Sequence, residues 1–177
     1  MKKILKVFFS IIIVSCVLTL FSGCDTRKPT ITEGEFPIYL EYEINGERYI
    51  IDDIVVCSYN GFDTTSLVPY RRYDVSLKNE SNKTLIDFED NTESKLTIGR
   101  TNEKASIRLH LGNGGYYLGD PDDKDHTPYI SYDEQYKTEP KVTHNDVTKL
   151  TNEQLEEIFG IKIIRFEFSS PIENAFE

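Results

Sequence analysis

From residue 36 onward the apolar positions recur at every second residue, the period of a half-buried strand. Residues 36–44 alternate, Asn45-Gly46 follows as a strong signal for a two-residue hairpin turn, and residues 48–59 resume as a long apolar run. The pattern predicts a first hairpin, with Asp52-Asp53 marking a bulge or kink in its second strand. Arg71, Tyr73, Val75 and Leu77 share one face of the next strand, and Arg72, Asp74, Ser76 and Lys78 share the other. After a turn at residues 79–83, further strands are expected at 85–88, at 96–98 and through Ile107, Leu109 and Leu111. Gly112-Asn113-Gly114-Gly115 then turns the chain ahead of residues 116–118.

One helix is written near the C-terminus. Thr151 stands as N-cap with Gln154 three residues on, which is a capping box, while Leu150 and Leu155 form a hydrophobic staple. Leu155, Ile158 and Phe159 supply an apolar stripe, and Gly160 sits where a left-handed C-terminal residue is wanted. The period then returns to two, with Ile164, Phe166 and Phe168 alternating against Arg165 and Glu167 in a last strand. Short strands with one helix favour a mainly β fold, a β-sandwich or partly open barrel, with a two-layer α+β arrangement as the alternative.

The first 24 residues break this pattern. Lys2, Lys3 and Lys6 open the chain without an acid, and residues 7–21 carry nothing more polar than Ser10, Ser15, Cys16 and Thr19. A charged start followed by such a run is the layout of a signal peptide. As a helix, fifteen residues would span about 22 Å, short of the roughly 30 Å hydrocarbon core. Leu20-Phe21-Ser22-Gly23-Cys24 resembles the lipobox of bacterial lipoprotein precursors, with Phe21 where Leu is usual. The resemblance implies cleavage before Cys24, acylation of its sulfur and a diacylglyceryl anchor, and two acyl chains hold where one exchanges. Cys16 is the poorer choice, because cleavage there leaves residues 17–21 exposed on the mature chain. The expected organisation is a signal peptide at 1–23, a lipidated Cys24 with a polar tether through residue 35, and a single extracytoplasmic β domain at 36–177. Residues 25–35, extended, would reach about 36 to 40 Å and could hold the domain clear of the headgroups.

Charge sharpens that picture. The chain of 177 residues has 20 Lys+Arg against 30 Asp+Glu, a formal charge of -10. Residues 1–23 take away three lysines and no acid, which leaves -13 on the mature chain. An anionic membrane surface repels such a domain, so attachment falls to Cys24 and the lipid. Nucleic-acid binding is not expected, because cations must outnumber carboxylates on some face to release counterions. The acidity suits a cation or a basic protein partner.

Candidate chemistry is sparse. Asp120, Asp122, Asp123 and Asp125, with His126 beside them, could gather oxygen ligands for Ca2+, yet Lys124 stands where the calcium-loop pattern needs a ligand, and a solvated acidic loop is the plainer reading. His110, His126 and His144 lack zinc spacing. Cys57, set in an apolar run, reads as a buried inert thiol, and no disulfide is expected. No nucleophile motif is present, and an enzyme is not expected. Tyr116 and Tyr117, beside the Gly-rich turn, could stack on a sugar or contact a cationic peptide if exposed, as could Tyr129, Tyr132 and Tyr136. The general make-up resembles the small lipoproteins of Gram-positive bacteria. That resemblance implies a lipid-anchored binding or accessory protein of the envelope. The alternatives are an assembly or protection subunit and a small cell-surface hydrolase.

Overall fold

The structure is a computed structural model that describes residues 27–65, 69–79, 82–138 and 142–177. Cys24 and the signal segment lie outside the described residues. The described residues form ten strands and two short helices: β1 (Glu33–Ile44), β2 (Glu47–Asp63), β3 (Tyr70–Leu77), β4 (Thr84–Asp87), β5 (Thr92–Glu93), β6 (Thr101–Asn102), β7 (Lys104–His110), α1 (Gly114–Tyr117), β8 (Tyr129–Thr138), β9 (Val142–Lys149), α2 (Asn152–Phe159) and β10 (Ile161–Phe168). No helix among the described residues is long and apolar enough to cross a membrane.

Two four-stranded antiparallel sheets carry the fold, ordered β10-β1-β2-β3 and β4-β7-β8-β9. They do not close into a barrel. Their inner faces meet in one core, built from Phe36, Ile38 and Leu40 of β1, Val55 and Cys57 of β2, Ile107 and Leu109 of β7, and Ile130 and Tyr132 of β8. The mainly β expectation holds in its two-sheet form, and burying each large core side chain stabilises it by about 1.5–3 kcal/mol.

The first hairpin forms as its sequence dictates. Ile44 pairs with Glu47 across a two-residue turn, and Asn45 and Gly46 take φ of 53° and 84°, the left-handed pair that matches strand twist. The Thr151 hydroxyl oxygen accepts from the Gln154 main-chain N–H, the Gln154 side-chain oxygen accepts from the Thr151 main-chain N–H, and Gly160 closes α2 at φ 66°. Leu150 and Leu155 are both buried. On β3 the alternation is also as expected, with Arg71 and Leu77 buried and Arg72, Asp74 and Ser76 exposed.

Several expectations are overturned. Asp52 and Asp53 pair in unbroken register with Tyr39 and Ile38, so no bulge lies there. The Asp53 side chain is instead buried and accepts from the Ile54 and Asn79 amides, tying β2 to the exit of β3. Bulges fall instead at Tyr59/Phe62 of β2, at Thr84/Ile86 of β4 and opposite Glu41/Tyr42, where Ile164 is the unpaired residue of β10. That extra residue turns Ile164 outward and brings Ile163 to the inner side, so alternation through Ile164 assigned it the wrong face. Residues 96–98 form no strand; they lie in the bend joining β5 to β6, where Ile98 is fully exposed. Residues 114–117 form a one-turn helix, and β8 and β9 form a hairpin that strand alternation did not reveal.

From residue 27 onward, the polar segment assigned to a tether also belongs to the fold. Lys28 and Glu177 exchange main-chain hydrogen bonds of 2.7 and 2.9 Å, and the Thr30 amide donates to Ala175 at 2.8 Å. The Asn174 amide reaches the Ile31 and Leu118 carbonyls, and β1 already pairs from Glu33. Main-chain pairing needs no apolar side chains, which is why composition did not disclose it.

Candidate functional site

The acidic loop lies between α1 and β8, and its approach to β3 depends on glycine. Gly112 has φ +78°, and a Cβ there would stand 2.4 Å from the His126 carbonyl oxygen. A Cβ on Gly115 would stand 2.0 Å from an Asp123 carboxylate oxygen. The loop therefore folds tightly over α1. Asp120, 2% exposed, receives Arg71 through Nε and Nη2 at 2.6 and 2.8 Å and the Tyr73 hydroxyl at 2.7 Å. Burial pushes the Asp120 carboxyl up, but the hydrogen bonds from Arg71, Tyr73 and the Asp122 amide outweigh it and hold it below the usual carboxylate range. Asp122 takes a further Arg71 bond at 2.5 Å.

The acids therefore do not converge on one point. Asp120 and Asp122 answer a guanidinium, Asp123 Oδ1 lies 2.8 Å from His126 Nδ1 and accepts from it, and Asp125 is exposed. Burial raises the Asp123 carboxyl, opposed by the His126 hydrogen bond. Among the described residues no group of three or more His, Cys, Asp and Glu side chains gathers as a metal site. The reading of this loop as solvated is corrected at Asp120, whose partner lies 49 residues upstream. The same Arg71 donates to the Arg27 carbonyl at 3.2 Å and lies 4.9 Å from the Phe176 ring centroid, so it joins both ends of the described chain to the loop.

Tyr116 and Tyr117 offer no exposed platform. They are 8% and 0% exposed, because the one-turn helix points both rings into the core, with Tyr117 against Phe36 at 5.0 Å between centroids. Tyr132 is also buried; it accepts from Asn102 Nδ2 at 3.1 Å. Tyr129 and Tyr136 are partly buried and stack on His110 and His144. Cys57 is fully buried, and burial pushes its thiol up to about 12, which leaves it protonated and unreactive.

A second buried polar network pins the β5–β6 ribbon to the inner face of the other sheet. Arg100 donates to Glu134 and, at 2.7 Å, to Asp146, and its guanidinium lies 4.2 Å from the Tyr136 ring centroid. Asn102 Nδ2 reaches Glu134 at 2.6 Å. This is a structural clamp, with Glu134 fully buried.

The outer face of the second sheet is different. The register places Lys104, Ser106, Arg108 and His110 of β7 beside Gln135, Asp133, Ser131 and Tyr129 of β8, and these beside Asn145, Val147 and Lys149 of β9. Thr84 and Asp87 of β4 flank the other side. An open groove of about 630 Å3 runs over this face, lined by Lys104, Arg108, Gln135 and Asn145 and by the carboxylates of Asp87, Asp90, Asp133 and Asp146 among others. A smaller recess of about 320 Å3 continues it past His110, Tyr129 and Lys149. Lys104 and Arg108 form no ion pair among the described residues, and Lys149 Nζ lies 5.4 Å from the Tyr129 ring centroid. Burial pushes the Asp133 carboxyl up, yet His110, Ser131 and the Arg108 charge hold it below the usual range.

Ser131, Asp133 and His110 are the residue types of a hydrolytic triad, but the order is wrong. The carboxylate sits between the other two, with His110 Nε2 3.3 Å from it and Ser131 Oγ donating to it, and Ser131 is fully buried. A nucleophile needs the imidazole next to the hydroxyl to take its proton. What the face can do is bind, by hydrogen bonds from Ser, Gln and Asn and by charge from Lys104 and Arg108. Sequence reasoning missed it because the cations are interleaved with core residues on β7, and β8 and β9 were not recognised as strands.

Fold and face together define a mainly β domain of two open sheets with a polar groove on one outer surface. No protein-family model, curated protein or solved structure matches the chain.

Proposed function

We propose that the protein is a lipid-anchored envelope lipoprotein whose β domain binds an anionic polysaccharide along the outer face of the β4-β7-β8-β9 sheet. The lipobox-like run ending at Cys24 supports the anchor, and the extracytoplasmic side of the cell membrane follows from it. The observation that carries the binding reading is the open groove over Lys104, Arg108, Gln135 and Asn145, whose two exposed cations form no direct ion pair among the described residues although Asp87, Asp90 and Asp133 line the same groove. On the first sheet, by contrast, Arg48, Lys78 and Arg165 are each answered by a glutamate. Extended polar chains suit an open trough, since ring hydroxyls match amide and hydroxyl side chains and acid groups match the cations.

Affinity electrophoresis through gels containing polygalacturonate, or its neutral methyl ester, tests the reading. Retardation is expected in the anionic gel alone. Lys104→Glu with Arg108→Glu should abolish it, whereas Arg48→Glu with Arg165→Glu, an equal change in net charge, should leave most of it. Equal behaviour of the two double variants, or retardation in neither gel, overturns the binding reading.

A further inference from the structure

The described fold starts close to the proposed anchor. Arg27 is already bonded through its carbonyl to Arg71, and Lys28 and Thr30 pair with Glu177 and Ala175. Between Cys24 and Arg27 stand only Asp25 and Thr26. Three Cα steps reach about 11 Å at most. One leaflet's headgroup layer is about 5–8 Å thick, so a Cys24 whose acyl chains lie in hydrocarbon brings Arg27 to the outer edge of the headgroups or just beyond.

We propose that the end of the first sheet that carries Asp63 of β2 and Tyr70 of β3 lies against the phospholipid headgroups, held there by this short connection; the proposal rests on the lipidation of Cys24 proposed above. Arg71, the second residue of β3, fixes which end this is, because it grips Arg27 while pairing across the sheet with Phe62. The surface there presents Tyr70, 52% exposed, with its hydroxyl 3.2 Å from Asp63, and the exposed Arg72 beside it. Tyrosine, apolar in its ring and polar at its tip, suits the headgroup level. The opposite end of β2, at Glu47, stands about 50 Å away along the strand. The membrane-facing end is set by covalent reach and does not depend on charge, since the mature chain is acidic.

The test uses the full chain, processed in its host membrane and reconstituted in phosphatidylcholine vesicles carrying a headgroup energy acceptor. A donor fluorophore is placed on Thr65→Cys or on Glu47→Cys, the native Cys57 being buried and unreactive. The donor at Thr65 should be strongly quenched and the one at Glu47 nearly unquenched, and a ten-residue Gly-Ser insert between Thr26 and Arg27 should remove most of the difference. Equal quenching at the two positions, or a difference unmoved by the insert, overturns the proposal. Two accompanying readouts separate the failures. Palmitate labelling that is absent from the native chain, or persists in Cys24→Ala, defeats the anchor. Free amide exchange at Lys28 and Thr30 in labelled protein defeats the short connection alone.

Discussion

Replacing Arg71 by methionine isolates the contact that joins β3, the acidic loop and the chain ends. The Arg71 and Asp120 side chains are 2% and 1% exposed and share two hydrogen bonds of 2.6 and 2.8 Å. Removing one member of such a pair leaves a buried charge without its partner, which costs about 3–5 kcal/mol. Asp120 keeps the Tyr73 hydroxyl and the Asp122 amide, so the lower figure applies. For a domain of this size about 3 kcal/mol corresponds to a fall in Tm of roughly 6–12 °C, read by differential scanning calorimetry at pH 7. Arg71→Met with Asp120→Leu removes both charges and should cost less than the sum of the two single changes, a coupling visible in the double-mutant cycle. The pH dependence has a definite sign. The folded Asp120 carboxyl lies below its unfolded value, so its contribution is complete above the ordinary aspartate value of about 4 and is lost as pH falls through the depressed folded one. Asp120→Asn should therefore flatten the acid limb of the stability profile. A Tm change under about 2 °C for Arg71→Met, or strict additivity in the cycle, would refute the reasoning.

Other changes test the fold more locally. Gly112→Ala places a Cβ 2.4 Å from a carbonyl oxygen at φ +78° and should cost more than about 2 kcal/mol in urea unfolding. Gly46→Ala, at φ +84° with open space around it, should cost only the left-handed penalty of about 1–2 kcal/mol. Thr151→Ala removes the cap of α2 and should cost about 1 kcal/mol, with Thr151→Ser restoring most of it. In protein carrying Cys16→Ala and Cys24→Ala at pH 8, Cys57 should resist iodoacetamide in buffer and react once urea exposes it; rapid native alkylation would contradict a buried thiol pushed up to about 12.

Where the sequence was informative, the signal was local. Asn45-Gly46 specifies its turn through the two left-handed residues it can supply, and Thr151, Gln154 and Gly160 specify both ends of α2 within ten positions. Where the reading failed, the deciding partner was distant or belonged to the main chain. Asp120 sits in a run whose composition indicates solvent, and only folding brings Arg71 to it. Tyr116 and Tyr117 look available beside four turn residues, yet a single helical turn sends both inward. On β8 and β9 the inner face carries Glu134, Asp146 and His144, which hides the alternation, because Arg100 and Asn102 from the ribbon satisfy the acids there. The Lys28–Glu177 pairing has no side-chain signature at all.

Net charge misled for a related reason: it averages over surfaces that never meet the same partner. The first sheet's outer face carries Glu35, Glu41, Asp52 and Glu167 with cations that are largely spoken for by neighbours. The second sheet sets Lys104, Arg108 and Lys149 around a central carboxylate, Asp133, that His110 and Ser131 already engage, with Asp87 and Asp90 along the β4 margin. An anion approaching the whole molecule is repelled at long range, but screening limits that repulsion to about 8–10 Å at physiological salt. Inside that distance the local face governs, and the cations there keep unused hydrogen-bond donors. Binding at this face should therefore be weak at very low ionic strength, where long-range repulsion survives, strongest at intermediate salt, and weak again where the direct charge contacts are screened.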